Sequence, residues 1–196
     1  MLMFKFCVLC RQSLTRKIVC ADCWEHLQLQ PQIIYKDDLT IYSAGTYQYP
    51  LNRLIQNFKY KQDVHYLPLF NRILETIELP QFQAVVPMPI SDHRLKQRGY
   101  NQAQLLAKAI AKKQNIPIWS PLIRQADHHQ KNLTRAERLS GIYQQFSHCP
   151  NLSICYRHVL IIDDVMTTGA SLDAVKQQLQ KIGCTKIEAL CLAVVT

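Results

Sequence analysis

One stretch near the C-terminus constrains the fold more than any other part of the chain: residues 159–171 have the sequence VLIIDDVMTTGAS. Its four leading apolar residues predict a buried strand, and the periodicity of residues 170–182 predicts a helix that ends at Gly183. Asp163 and Asp164 follow the strand at its carboxyl end, where open α/β sheets bind their ligands. The stretch therefore predicts an α/β fold with a ligand site at the carboxyl edge of a parallel sheet.

The polar groups of this stretch match the chemistry of a ribose 5-phosphate. Adjacent carboxylates can accept hydrogen bonds from the two neighbouring hydroxyls of a ribose. The loop after them enters a helix, whose N-terminal N–H groups and dipole favour a phosphate. This loop consists of Thr167, Thr168, Gly169, Ala170 and Ser171, and its glycine lets a ligand approach the backbone. An ordinary buried strand followed by an acidic turn is the alternative interpretation.

Residues 159–171 resemble the signature that binds phosphoribosyl pyrophosphate (PRPP) in type I phosphoribosyltransferases. The resemblance implies that Asp163 and Asp164 are the catalytic pair holding the ribose hydroxyls, and that residues 167–171 hold the 5-phosphate. One position departs from the hypoxanthine–guanine enzymes of this class, which carry an aspartate facing the base where this chain has Thr167. Orotate-type and adenine-type relatives also lack that aspartate. The departure therefore argues only against the hypothesis of a hypoxanthine–guanine enzyme.

Hydrophobic periodicity predicts the remaining elements. Predicted helices cover residues 24–29, 51–60, 68–77 and 101–113, and predicted strands cover residues 39–47, 84–88, 116–122, 158–162 and 186–194. Residues 125–140 are predicted as a long loop with a little helix. Strands that alternate with helices in the C-terminal two thirds favour a parallel sheet with helices on both faces.

Eight cysteines divide into one tight cluster and four scattered residues. The cluster has the spacing C-x2-C-x9-C-x2-C and consists of Cys7, Cys10, Cys20 and Cys23. Two such pairs predict a tetrahedral Zn²⁺ site, and four thiolates make it a structural site because they leave no open position for chemistry. A reduced cluster without metal, or a redox pair, is the alternative. We expect residues 1–30 to form a zinc ribbon and residues 31–196 a domain like that of type I phosphoribosyltransferases.

Positive charge is concentrated in the middle of the chain. The formal net charge is +9, and residues 94–138 contain ten lysines and arginines against two acids. The pyrophosphate that leaves PRPP gains negative charge, so Mg²⁺ and fixed cations would stabilise it. The resemblance puts the pyrophosphate loop just after the strand at residues 84–88 and a cationic lid near residues 125–145. We predict anion contacts from Arg94, Arg98 and Arg138.

The cysteine spacing, residues 93–111 with the core RGYNQ, the lid at 130–138 and the motif at 159–171 occur in one order on one chain. Together they resemble the competence protein F (ComF) family of bacterial DNA-uptake proteins. The resemblance implies a protein needed for natural transformation that acts on single-stranded DNA with a partner helicase or DNA-loading protein. The lid departs from the family pattern, since Gly141 and Gln144-Gln145 replace its usual residues.

Three functions fit these residues. The first is a ComF-like protein of DNA uptake that binds PRPP or a related ribose 5-phosphate, and the zinc ribbon and basic segment favour it. The second is a metabolic phosphoribosyltransferase, a pentosyltransferase that joins the ribosyl group to a nucleobase. The third is a binding module whose main ligand is single-stranded DNA, with exposed tyrosines stacking on bases. The sequence does not decide whether the protein catalyses a reaction.

The chain offers no apolar segment of membrane-spanning length. The longest purely apolar run, residues 189–195, is far shorter than the roughly 18 residues that a spanning helix needs. The first ten residues contain Lys5 and lack the pattern of a secretory signal. We therefore expect a cytoplasmic protein.

Overall fold

The computed structural model describes residues 4–125, 145–150, 152 and 154–195. The described strands are β1 (Lys5–Phe6), β2 (Leu14–Thr15), β3 (Gln32–Lys36), β4 (Leu39–Ser43), β5 (Ala84–Pro87), β6 (Leu122–Arg124), β7 (Phe146–His148), β8 (His158–Met166) and β9 (Lys186–Val194). The described helices are α1 (Ala21–His26), α2 (Leu51–Tyr60), α3 (Leu67–Leu74), α4 (Asp92–Arg98), α5 (Gln102–Gln114) and α6 (Ala170–Lys181).

Five of the described strands form the central sheet, in the order β3-β4-β9-β8-β5. β4, β9, β8 and β5 are parallel, as predicted, whereas β3 pairs with β4 in the antiparallel direction. The turn between β3 and β4 contains Asp37 and Asp38, with φ values of 47° and 57°. These positive φ values are those of a two-residue type I′ turn, which suits a tight hairpin. The sheet is therefore mixed, with an antiparallel edge strand that the periodicity did not reveal.

Most of the predicted elements are present, with shifted ends. The bounds of α2 and β9 coincide with the prediction, and α1 lies three residues earlier than expected. The strand predicted at 158–162 continues to Met166, and the one predicted at 39–47 ends at Ser43. Of the weak strand predicted at 116–122, only Ile118, in a single bridge to Val85, and Leu122, the first residue of β6, are paired. α4 was not predicted, and the loop predicted at 125–140 lies, apart from its first residue, outside the described part of the chain.

Both faces of the sheet are covered. Leu160 and Ile162 of β8 pack in one cluster with residues of α2, α3 and α5. Val159 and Ile161, which point to the opposite face, pack in a second cluster with residues of α6. A strand buried on both faces has apolar residues at every position, which explains the unbroken apolar run that begins at Val159.

The cysteine-containing segment packs against the main domain. Cys7, Val19 and Leu27 are buried in the same cluster as Ile55 of α2 and Phe70 of α3. The domain boundary at residue 30 stays a prediction. Within the described ranges, no helix combines the length and apolar character needed to cross a bilayer.

Candidate functional site

The two aspartates lie inside β8 rather than after it. Asp163 pairs in register with Cys191 of β9, and the ladder continues to Met166. The Asp164 N–H donates to Oδ1 of Asp163 over 2.9 Å. Asp164 is buried, with 6% of its surface exposed, whereas Asp163 is half-buried. The strand thus fixes the backbone of both residues near its carboxyl end.

A lysine from α2 neutralises one of the two carboxylates. Lys59 Nζ lies 2.8 Å from Oδ1 of Asp164, and both side chains are largely buried. Burial alone would lower the pKa of Lys59, but the charges of Asp164 and Asp163 outweigh burial and raise that pKa. Sequence reasoning did not assign Lys59 a role in the site. The sequence did contain one indication of such a role. Lys59 follows Phe58 at the edge of a buried helix face, and a charged residue in that position needs a partner.

Among the residues that the structure describes, no second lysine pairs with Asp163 as Lys59 pairs with Asp164. Burial and the neighbouring Asp164 carboxylate raise the pKa of Asp163 to about 8, although the charge of Lys59 acts in the opposite direction. Two carboxylates therefore share one ammonium at the carboxyl edge of the sheet. Such a pair is stabilised by a ligand that brings hydrogen-bond donors or a cation.

The predicted phosphate loop connects β8 to α6. Thr167 and Thr168 are exposed, and Gly169 occupies the N-cap position of α6 with a φ of 81°. The Ala170 N–H donates to Oγ1 of Thr168 over 3.4 Å. Gly169 is required here because a residue with a side chain would be strained at this φ. The first N–H groups of a helix point away from it, so this loop has the geometry of an anion site.

A second lysine, from the β3–β4 hairpin, reaches this loop. Lys36 Nζ donates to the carbonyl oxygen of Thr168 over 2.5 Å, and the Lys36 side chain passes close to Gly169. The hairpin turn is itself held by α6, since Lys176 Nζ donates to the carbonyl oxygen of Asp37. Lys36 is exposed and 132 residues from Thr168 in the chain, so local sequence patterns contained no signal for it.

Two of the three arginines predicted to contact pyrophosphate lie in the described part of the chain. Arg94 and Arg98 lie four residues apart on α4, which follows β5. The Arg98 guanidinium stacks on the ring of Tyr60 at 5.3 Å and donates to Gln102 over 3.3 Å. Arg138 lies outside the described residues. Contacts of these three arginines with pyrophosphate remain a prediction.

The RGYNQ segment joins three elements of the site. Tyr100 Oη donates to the carbonyl oxygen of Phe58, which precedes Lys59. Asn101 caps α5 by accepting from the Gln104 N–H, and its side-chain amide donates to the carbonyl oxygen of Met88 beyond β5 over 3.0 Å. The segment therefore ties the last turn of α2 to the loop after β5.

The four predicted metal ligands are close together. Their Sγ atoms all lie within 4.8 Å of one another, and Cys10 Sγ is 3.9 Å from Cys20 Sγ. A tetrahedral zinc with Zn–S bonds of about 2.3 Å separates its sulfurs by roughly 3.8 Å. The backbone N–H groups of Gln12 and Ser13 lower the pKa of Cys10 to about 6, whereas burial and the neighbouring cysteines raise the pKa of Cys23. A bound cation would favour the thiolate form of all four. The cluster fits a metal such as zinc.

Comparison with known proteins identifies related sequences. Residues 101–194 match the model of the phosphoribosyl transferase domain. Competence protein F of Haemophilus influenzae is 28% identical, with 95% of this chain and 89% of that protein aligned. The chain is a homologue of competence protein F. Competence protein ComFC of Bacillus subtilis is 27% identical over 85% of this chain and 68% of that protein, and DNA utilization protein YhgH of Escherichia coli K12 is 25% identical over 76% and 70%.

Comparison with solved structures finds matches at low sequence identity and with TM-scores below 0.5. Glutamine PRPP amidotransferase from Bacillus subtilis has a TM-score of 0.43 and 16% identity, over 62% of this chain and about a quarter (25%) of that larger chain. Adenine phosphoribosyltransferase from Trypanosoma brucei has a TM-score of 0.41 and 12% identity, over 83% and 74% of the two chains. The fold is like that of type I phosphoribosyltransferases, with a mixed sheet flanked by helices.

Proposed function

We propose that the carboxyl edge of β8 binds PRPP or a related ribose 5-phosphate. In this proposal, Asp163 and Asp164 accept hydrogen bonds from the ribose hydroxyls, and residues 167–171 hold the 5-phosphate. The observation that carries the proposal is the buried Lys59–Asp164 pair, 2.8 Å apart, directly before the exposed N-terminal loop of α6. The pair supplies an oriented acceptor, and the loop supplies donors for an anion.

Two lysines have separate roles in this proposal. Lys59 occupies one oxygen of Asp164 and so orients the other oxygen toward a ligand. The ammonium of Lys36 has three N–H donors and uses one on Thr168. Its charge stands beside the phosphate loop, where it would strengthen binding of the 5-phosphate.

Magnesium fits the same edge. Asp163 and Asp164 are adjacent carboxyl groups with one close ammonium among the described residues, and oxygen ligands of this kind suit Mg²⁺. When bound together with PRPP, Mg²⁺ would neutralise charge on the pyrophosphate. Arg94, Arg98 and Arg138 are the chain's own candidates for the same task.

The names of the relatives support a role in natural transformation. We propose that the ligand site serves a protein that handles incoming single-stranded DNA, together with a helicase or DNA-loading partner. The basic residues between positions 94 and 138 are the candidate electrostatic surface for that strand. The second candidate function is transfer of the ribosyl group to a nucleobase, which the match to the phosphoribosyl transferase domain favours.

Calorimetric titration with PRPP and Mg²⁺ tests the ligand site. We expect a binding heat for the native chain and none for Asp163→Asn combined with Asp164→Asn. Asp22→Asn combined with Glu78→Gln removes the same formal charge from exposed positions and should bind normally. Undiminished binding by the double variant at positions 163 and 164 would show that the ligand site lies elsewhere.

Two further assays separate the candidate functions. Pyrophosphate release with PRPP, Mg²⁺ and a panel of nucleobases and oligonucleotides reports turnover and its acceptor. Polarisation of a labelled oligo-dT at about 50 and 200 mM salt reports strand binding, which should weaken steeply with salt if several phosphates are contacted. Base-dependent release without strand binding favours the metabolic enzyme, and strand binding without release favours a binding protein.

A further inference from the structure

A groove of about 800 Å³ separates the cysteine-containing segment from α3, and it does not belong to the site at β8. Ile18, Val19 and Trp24 line it and also pack against the main core. Phe4 and Leu14 line it too, although 56% and 61% of their surfaces are exposed. We call this surface the ribbon groove.

The apolar character of the ribbon groove marks it as a contact surface. Large apolar side chains exposed singly are ordinary, but exposed apolar residues contiguous with a concave apolar surface mark interaction sites. Phe4 and Leu14 join such a surface, and its volume is in the range of pockets that enclose several side chains or a small ligand.

The rim of the ribbon groove is positively charged. Arg16, Lys17 and Arg72 line it together with a single acid, Glu25. Arg72 also approaches Glu75 at 3.3 Å, but both side chains are exposed, so this ion pair contributes little and can be exchanged for another carboxylate. Charge complementarity therefore favours a ligand with carboxylates outside and apolar groups inside.

The lining distinguishes a peptide from a nucleic-acid strand. Single-stranded nucleic acid binds where bases can stack on open aromatic faces. Leu14, Ile18 and Val19 are aliphatic, and the Arg16 guanidinium covers the ring of Phe4 at 4.7 Å. Trp24, the other aromatic residue of the lining, is partly buried against the main core. The groove therefore offers mainly aliphatic surface, which packs well against apolar side chains of a peptide but gives bases little to stack on.

We propose that the ribbon groove docks an acidic segment of a partner protein. The segment inserts apolar side chains against Leu14 and Trp24 and presents carboxylates to Arg16, Lys17 and Arg72. Cys20 also lines the groove, so the cysteine cluster shapes one wall and loss of its metal would disturb docking. The inference is independent of the ligand site at β8.

Peptide binding to the full chain, purified without chelator, tests this proposal. The probes are a panel of twelve-residue labelled peptides with four acids and two large apolar residues at varied spacing. Matched peptides carry lysine for the acids or alanine for the apolar residues, and a twelve-nucleotide oligo-dT is included. We expect some acidic peptides to bind, and their lysine and alanine counterparts to bind at least about tenfold more weakly.

Variants of the chain locate the binding surface. Arg16→Glu with Lys17→Glu should weaken peptide binding about tenfold or more, and Leu14→Ser should weaken it several-fold. Lys5→Glu with Arg11→Glu changes two exposed cations that do not line the groove and should leave affinity within about twofold. Circular dichroism spectra and denaturant unfolding curves that match those of the native chain would show that all three variants are folded.

Three results would overturn the proposal. The first is failure of the whole acidic panel to bind better than its lysine and alanine counterparts. The second is oligo-dT binding that the Arg16 and Lys17 changes abolish, which would make the groove a nucleic-acid surface. The third is a dimer in sedimentation analysis that Leu14→Ser dissociates, which would mean that a second copy covers the groove.

Discussion

The cysteine cluster and the carboxyl edge of β8 are assembled in opposite ways. The four cysteines lie within 17 residues of chain, and their Sγ atoms meet within 4.8 Å. The edge of β8 instead combines Lys59 from α2, Lys36 from β3 and two aspartates more than 100 residues further along. A locally built cluster can be recognised from spacing, whereas a site built across the chain needs the fold to bring its charges together.

Loss of the cysteine cluster should have the largest effect. Cys7 is fully buried in the main core, so Cys7→Ser with Cys10→Ser should lower the free energy of unfolding by about 4 kcal/mol or more if a metal is bound. Metal analysis and denaturant unfolding with and without chelator measure this. The exposed Cys155 provides the control, Cys155→Ser. If the native protein contained no metal and a chelator did not lower its stability, the cysteine cluster would not be a structural metal site.

Removal of Lys59 should have the next largest effect. Lys59→Met leaves the buried Asp164 and the half-buried Asp163 without their ammonium, at a cost of about 3 kcal/mol in the free energy of unfolding. Adding Asp164→Asn removes one of the charges and should restore much of the stability, but not PRPP binding. Denaturant unfolding measures the stability, and calorimetric titration measures PRPP binding. If the double variant were no more stable than Lys59→Met, repulsion between the carboxylates would not be the cause.

Asp163 should make stability depend on pH. Its pKa is raised to about 8 in the folded chain, while an unfolded carboxyl titrates near 3.9. The folded state therefore binds more protons between these values, and this group makes stability fall as pH rises from about 4 to 8. Asp163→Asn cannot ionise, so its stability relative to the native chain should increase as pH rises from 5 to 8.

The pH dependence of that difference is the decisive measurement. Denaturant unfolding at pH 5, 6.5 and 8 should show the advantage of Asp163→Asn shrinking as pH falls. Glu78→Gln, at an exposed position after α3, serves as the control and should show no such trend. A constant difference between Asp163→Asn and the native chain would mean that Asp163 titrates normally.

Removal of the Lys36 charge should have the smallest effect on the chain itself. Lys36 is exposed, so Lys36→Met should leave the unfolding free energy within about 0.5 kcal/mol. PRPP affinity should fall roughly three- to tenfold, because a charge beside the phosphate loop is lost. Lys181→Met, at an exposed position near the end of α6, should leave affinity unchanged. Equal affinities of the two variants would exclude Lys36 from the phosphate site.

Most elements of the fold could be predicted from periodicity because their apolar faces are regular. α2 shows this best: Leu51, Leu54, Ile55 and Phe58 recur at helical spacing and all are buried. β3 was missed because its turn uses Asp37 and Asp38 rather than the Asn-Gly or Asp-Gly pairs that indicate a type I′ turn. α4 was missed because its charged residues show little apolar periodicity and none of them is buried.

The sequence by itself determined the order of the main helices and of the parallel strands, the cysteine spacing and the aspartate pair with its loop. These features depend on neighbouring residues, so their chemistry is visible in one stretch of chain. Tertiary structure alone decided that Lys59 pairs with Asp164, that Lys36 contacts the loop, and that Tyr100 holds the last turn of α2. Those contacts join residues 40 or more positions apart, and only packing of helices and hairpin against the sheet brings them within hydrogen-bond distance.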